Sequence, residues 1–266
     1  MTQSKPKPRR AKQAPTKAAT RAAAREGTKE TARAARRVAV YAATRDRYET
    51  MLAAARSLAD KTRMDRIILL TDGADIPEAL PAYIDVIDVS GQKWFPPGGP
   101  NYGSRWTWMS LMRLALPRLL PEERRVLYLD CDTIVRQDIG ELFDLDLGGC
   151  LLAAVLEPDK SRDGRRYYNA GVLLMDLDAL RASGKVAEMV SAANYRRWGL
   201  PDQDVLNACC SRQTLALDPA YNATGFIPHD EERVKIRHYA GTRDKMAEAE
   251  LQEALRLPWR DWGAGA

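Results

Sequence analysis

From residue 38 onward the apolar positions fall into short unbroken runs separated by stretches of helical period. The first run, V-A-V-Y-A-A at residues 38–43, favours a strand, and behind it Tyr48, Met51, Leu52, Ala55 and Leu58 recur at the spacing that shares one helix face. A second run at residues 67–70 ends in the turn signal Thr71-Asp72-Gly73, and a third spans residues 83–89. A Gly/Pro-rich loop at residues 95–103 is followed by a helix through Leu116. The wholly apolar strand at residues 126–129 then runs straight into Asp130-Cys131-Asp132. Further buried strands are predicted at residues 151–156 and 171–175, helices over 178–196 and 202–210, and strands near Thr214 and Lys235. Unbroken apolar strands alternating with helices predict an α/β domain with a mostly parallel central sheet covered on both faces.

Residues 1–37 have a different character. They are Lys, Arg, Ala, Pro and Thr with almost nothing branched or aromatic, and cannot bury enough apolar surface to offset their ordering entropy. They are read as a basic disordered tail, with 38–266 as one catalytic domain. The Ala-rich part holds good helix formers that can order against a partner. The chain's net charge of +5 conceals an asymmetry: twelve Lys and Arg against two Glu give the tail +10, leaving −5 for the rest. Such an arm suits nucleic acid or another anionic surface, or it is a solvated extension.

The four cysteines, Cys131, Cys150, Cys209 and Cys210, include no pair at the two-residue spacing of zinc sites. They read as buried reduced thiols of a cytoplasmic protein. No apolar run approaches bilayer length, so no membrane span is expected.

The chemistry centres on Asp130 and Asp132. In open α/β sheets ligands bind beyond the carboxyl ends of the strands, where these two acids fall. Residues i and i+2 of an extended chain point the same way, so both carboxylates can share one divalent cation, which takes oxygen ligands and keeps positions for diphosphate oxygens. Taken alone, an Asp-x-Asp can also be a plain turn.

Across its length, R-V-L-Y-L-D-C-D-T-I-V at residues 125–135 resembles the metal strand of the glycogenin-like glycosyltransferases, family eight. The segment A-T-R-D-R-Y at residues 43–48 is similar to that family's first-strand loop beside the nucleotide base, Y-N-A-G-V-L-L-M at 168–175 to its donor-sugar strand, P-D-Q-D-V-L-N at 201–207 to its segment beneath the reacting carbon, and H-Y-A-G at 238–241 to its C-terminal His-x-x-Gly. The resemblance implies a single nucleotide-sugar-binding domain of GT-A-like fold. It also implies a retaining transfer of a hexose from UDP-glucose or UDP-galactose to a hydroxyl acceptor that the sequence does not name. By the same resemblance Mn2+ or Mg2+ is held by Asp130, Asp132 and His238, and the donor by Thr44, Tyr48, Arg113, Cys131, Asn169, Ala170, Gly171, Gly241 and Lys245. Asp202 and Gln203 take the catalytic positions. In the family a Lys follows the His-x-x-Gly closely; here Lys245 comes one residue late and Arg243 competes as the diphosphate clamp.

Each assignment has a plainer counterpart. His238 could be a structural histidine, as His229 is taken to be. Asn169-Ala170-Gly171 could be a turn into a strand, Asp202 a helix N-cap, and Gln203 and Asp204 solvated. Trp94, Trp106 and Trp108 read as packing, with stacking on an acceptor as the alternative. Two other functions compete: a nucleotidyltransferase, whose glycine-rich phosphate loop is missing, and a non-catalytic nucleotide-sugar or nucleic-acid binding protein.

Overall fold

The computed structural model describes residues 36–73, 75–76, 78–161, 163–241, 246–260 and 262. The segment read as a basic tail lies outside them except for Arg36 and Arg37. Arg36 pairs with the buried Glu123 at 3.1 Å, and the Arg37 backbone N–H donates to Asp65 at 2.7 Å.

The chain runs β1 (Val38–Ala42), α1 (Tyr48–Lys61), β2 (Arg66–Thr71), β3 (Ile84–Asp88), α2 (Met112–Leu119), β4 (Arg125–Leu129), β5 (Thr133–Val135), β6 (Leu152–Leu156), β7 (Tyr168–Asp176), α3 (Leu177–Ser183), α4 (Lys185–Tyr195), α5 (Pro201–Cys210), β8 (Thr214–Leu217), β9 (Ile236–His238) and α6 (Glu248–Arg256). Seven strands form one sheet in the order β3-β2-β1-β4-β7-β6-β8. Its pairings are parallel except the two made by β7. The cause is local. Between β6 and β7 the chain has only a 3-10 turn and no helix to carry it back across the sheet, so β7 returns antiparallel.

Both faces are buried, as unbroken apolar strands require. Val38, Val40 and Ala42 of β1 enter one core cluster, and Ala39 and Tyr41 enter the cluster on the opposite face. After β1 the chain builds β2 and β3 on one side, then places β4 on the other. The crevice between the carboxyl ends of β1 and β4 is therefore a topological switch point.

Three features depart from the sequence reading. The single helix expected over 178–196 is two helices, because Gly184 takes a left-handed φ of +74° between them. Strands β5 and β9 form a separate antiparallel ribbon that pairs Thr133 with His238, and only the neighbourhood of β9 was anticipated. Helix α6 was not anticipated either. Its Ala254 and Leu251 pack on Ala53, Ile134 and Tyr239, and so brace the ribbon. All four cysteines are free thiols. No helix among the described residues is long and apolar enough to cross a membrane.

Candidate active site

Residues distant in sequence meet at the carboxyl end of β4. Asp130 and Asp132 do not lie along an extended strand; they sit in the turn that joins β4 to β5. Their carboxylates are oriented by that turn and by the ribbon beyond it. Thr133 Oγ1 donates to the Asp130 carbonyl at 2.8 Å, and the Tyr239 N–H donates to the Asp132 carbonyl at 2.9 Å. The ribbon delivers His238, whose Nε2 lies 3.3 Å from Asp132 Oδ1 and 3.7 Å from Asp130 Oδ2. One potential ligand atom from each of the three falls within 4.8 Å of the others. His238 is buried, whereas the two carboxylates stay 26% and 35% exposed. The cluster is thus closed on the protein side and open toward the crevice. Burial pushes the imidazole pKa down, but the charges of Asp132 and Asp130 more than offset this and the net shift is upward.

Two carboxylates and an imidazole form a donor set suited to Mn2+ or Mg2+ with further positions left for other oxygens. The three side chains therefore fit the metal that the sequence resemblance implied.

Because β7 is antiparallel, its first residues lie at the same sheet edge as the end of β4, and the Asp130 N–H donates to the Gly171 carbonyl at 2.8 Å. Asn169, Ala170 and Gly171 thereby join the cluster as part of a strand and not as a turn. Asn169 is buried, and its Oδ1 accepts from the Gly171 N–H at 2.9 Å.

Arg113, projecting from α2, ties three elements together. Its Nη2 donates to Asp130 Oδ1 at 2.6 Å, its Nε lies 3.0 Å from Asp202 Oδ2, and its Nη1 bonds the Ala170 carbonyl. The guanidinium also covers the Tyr128 ring at 4.3 Å. Burial lowers its pKa, but Asp130 and Asp202 raise it further, so the group stays charged. Burial raises the pKa of Asp202, with Arg113 pulling the other way.

Helix α5 brings both expected catalytic residues to this point. Pro201 occupies its first turn, where a missing N–H costs nothing. Leu200 is the N-cap, so Asp202 is not a cap but the partner of Arg113. Gln203 is buried rather than solvated: its Oε1 accepts from the Ala170 N–H at 3.0 Å and its Nε2 donates to Glu157 at 3.0 Å. Asp204 is also engaged, accepting from the Leu200 N–H at 2.8 Å and from the Tyr167 hydroxyl.

On the β1 side, Thr44 Oγ1 donates to Asp46 at 2.6 Å, and the Tyr48 hydroxyl donates to Asp72 at 2.7 Å, linking the start of α1 to the turn after β2. Cys131 is a neutral thiol; burial and the charges of Asp132 and Asp130 push its pKa up, and Arg47 is near enough to oppose them. Gly241 follows β9 with a left-handed φ of +85°. Lys245 and its rival Arg243 lie outside the described residues. His229 belongs to a different cluster, with Nδ1 2.7 Å from the Ile227 carbonyl and Nε2 3.0 Å from Glu231. Tyr102 and Trp108 stack at 5.6 Å, and Trp94 and Trp108 pack on the core.

Two polar residues at the site were missed. Glu157 accepts from both Asn169 and Gln203, and Asn222 lies 2.7 Å from His238 Nδ1. Glu157 follows the apolar run of β6 just as Asp130 follows that of β4, so the same strand-end rule would have found it. Asn222 has no such signal in the sequence.

Comparison with known proteins agrees with this geometry. The chain is 31% identical over 129 residues to general stress protein A of Bacillus subtilis (strain 168), covering 43% of this chain and 45% of that protein. It is 29% identical over 156 residues to the lipopolysaccharide 1,2-glucosyltransferase of Escherichia coli (strain K12), covering 52% and 45%. It thus spans about half the length of these curated relatives. The solved structure of galactosyltransferase LgtC in complex with donor and acceptor sugar analogs superposes with a TM-score of 0.59 at 25% identity, covering 82% of this chain and 95% of that one. The sequence model described as glycosyl transferase family 8 matches residues 81–245, more than half of the sequence, and the chain belongs to that family.

Proposed function

We propose that the chain transfers a hexose, with retention of anomeric configuration, from a UDP-sugar to a hydroxyl acceptor, using a divalent cation held by Asp130, Asp132 and His238. The observation that carries this reading is the convergence of those three ligands beside Asn169, Arg113 and Gln203 at the switch point of the sheet. UDP-glucose and UDP-galactose are the donors proposed first, in keeping with the glucosyl- and galactosyltransferases among its relatives.

The cation, Mn2+ or Mg2+, supplies Lewis-acid neutralisation of the charge that builds on the departing diphosphate. The protein's own groups do the rest. Thr44 and Tyr48, which follow β1, are assigned to the nucleotide, with Cys131 as a neutral contact. Asn169, Ala170 and Gly171 border the donor sugar. Lys245 or Arg243, which follow Gly241 in the sequence, is assigned to the diphosphate. Arg113 bridges Asp130 and Asp202 and so ties the proposed catalytic segment to the end of β4. Gln203, held by the Ala170 N–H at Oε1, is assigned to stabilise the oxocarbenium-like carbon with its amide dipole. Acceptor choice is assigned to the loops at 95–103 and 159–166.

A donor screen in the presence of Mn2+, reading release of nucleoside diphosphate, tests the proposal. Release from a UDP-hexose supports it, and pyrophosphate as the product would return the nucleotidyltransferase reading. For residues 1–37 we propose tethering to nucleic acid or another anionic surface, on charge alone.

A further inference from the structure

The buried amides between the metal cluster and α5 form one continuous chain of hydrogen bonds, and its direction is set at two backbone groups. Gly171 N–H donates to Asn169 Oδ1 at 2.9 Å, and Ala170 N–H donates to Gln203 Oε1 at 3.0 Å. A backbone N–H only donates, so these contacts determine which end of each amide is the oxygen. The remaining bonds then follow in order. Asn169 Nδ2 and Gln203 Nε2 both donate to Glu157 Oε1, at 2.7 Å and 3.0 Å, while Lys160 holds Oε2 at 2.7 Å. Asn169 Oδ1 takes a second bond, from Asn222 Nδ2, at 2.8 Å. Asn222 is left presenting its Oδ1 to His238, 2.7 Å from Nδ1. An amide oxygen only accepts, so Nδ1 carries the proton. In the neutral ring the lone pair is then on Nε2, the atom that faces Asp132 and Asp130.

We propose that Asn222 is a positioning residue that fixes the metal-binding tautomer of His238, with Asn169 and Glu157 anchoring it through the same hydrogen-bond chain that orients Gln203. Asn222, Asn169, Glu157, Gln203 and His238 are all buried. Polar groups shut away from water must be partnered with each other, so a reversed amide anywhere in the chain would set two acceptors or two donors face to face. Metal-ligating histidines depend on such partners, whose loss costs about 10–100-fold in metal affinity. The inference rests on the reading of Asp130, Asp132 and His238 as metal ligands, and the test separates the two.

The experiment is calorimetric titration of Mn2+ into the full chain and into its Asn222→Ala, Asn222→Asp and Asp132→Asn variants. NMR of the histidine ring nitrogens is recorded alongside on metal-free protein, at a pH where the rings are neutral. The sequence has two histidines, so the spectrum is assignable. Asn222→Ala is expected to weaken Mn2+ about 10–100-fold. Asn222→Asp, which still accepts from Nδ1–H but sets an acceptor against Asn169 Oδ1 in place of Nδ2, is expected to lose less affinity than Asn222→Ala, and the wild-type His238 ring to show the Nδ1–H tautomer. Unchanged affinity in Asn222→Ala, equal losses in both Asn222 variants, or an Nε2–H tautomer in the wild type would overturn the inference. Tight wild-type binding lost only in Asp132→Asn would leave the metal reading standing without it. If the wild type binds no Mn2+, the metal reading falls and the tautomer alone decides the inference; the wild-type spectrum also serves if Asn222→Ala does not fold.

Discussion

Gly171 lies so close to the ring of His238 that a β-carbon there would stand 2.1 Å from its Cε1 and 2.6 Å from its Nδ1. Family resemblance assigns this glycine to the donor sugar; the geometry gives it a second reason, room for the His238 imidazole. Gly171→Ala should displace the imidazole from the carboxylates, weakening Mn2+ binding at least tenfold. The overpacking should lower stability by about 1–3 kcal/mol. Calorimetric titration with a thermal melt checks both, and wild-type Mn2+ affinity would contradict the close approach.

Asp132→Asn removes one carboxylate from the cation cluster while keeping its shape. Turnover of a UDP-hexose should fall to background, and the melting temperature of the metal-free protein should be little changed, because the Asp132 side chain is 35% exposed. Full activity of the wild type in excess chelator would refute metal dependence.

Arg113→Met takes away the cation shared by Asp130 and Asp202. Leaving buried carboxylate without its partner costs about 3–5 kcal/mol, so a large fall in melting temperature is expected together with loss of transfer. Asp202→Asn should be much milder in stability, since a neutral amide oxygen can still accept from the guanidinium. Similar melting temperatures for wild type and Arg113→Met would show that the pair is not held as described.

Gln203→Ala should slow the chemical step while leaving Mn2+ affinity near wild type, because Gln203 meets the metal cluster only through intervening groups. NMR of the first product formed by the wild type reports the anomer directly. An inverted product would exclude the retaining reaction.

Removing residues 1–34, and so sparing Arg36 and Arg37 with their pairings to Glu123 and Asp65, should abolish any salt-sensitive binding to duplex DNA and leave donor hydrolysis unchanged. For the full chain, log affinity should fall linearly with log salt, with a slope of roughly 0.9 per phosphate contact. Absence of binding at low salt would eliminate the nucleic-acid partner.

Much of this architecture is legible in the sequence because its buried strands are continuous apolar runs and its chemistry follows them directly. The V-L-Y-L run marks β4, and the acids behind it belong to the candidate metal cluster. Orientation is less legible. Nothing in Y-N-A-G-V-L-L-M says that β7 runs against its neighbours; that comes from the missing crossover helix before it. Gly184 could have signalled the break between α3 and α4, being a glycine inside a helical pattern. The short ribbon β5–β9 is stabilised by long-range pairing and by α6, which no local pattern reports. The hydrogen-bond partners at the site were hidden for a similar reason. Asn222 caps the end of a 3-10 turn whose sequence, D-P-A-Y-N, reads as an ordinary loop, and only the fold brings it to His238.

The reversal of β7 also separates what can vary from what cannot. Its second half is held in register by β4, from Arg125 opposite Asp176 to Leu129 opposite Val172, and its first residues by the Asp130 N–H on the Gly171 carbonyl and by β6, whose pairing shifts between Ala154 and Leu156. The preceding connection is closed at its base by the Glu157 N–H bonded to the Tyr167 carbonyl at 2.8 Å. Lys160 and Ser161 hold Glu157 and Tyr167, but residues 163–166 can change in length or composition without shifting Asn169, Ala170 or Gly171, since lengthening a closed loop costs only slowly growing entropy. For engineering, this is a grafting position: transplanted loops inserted there would diversify what enters the crevice while the cation cluster keeps its coordinates.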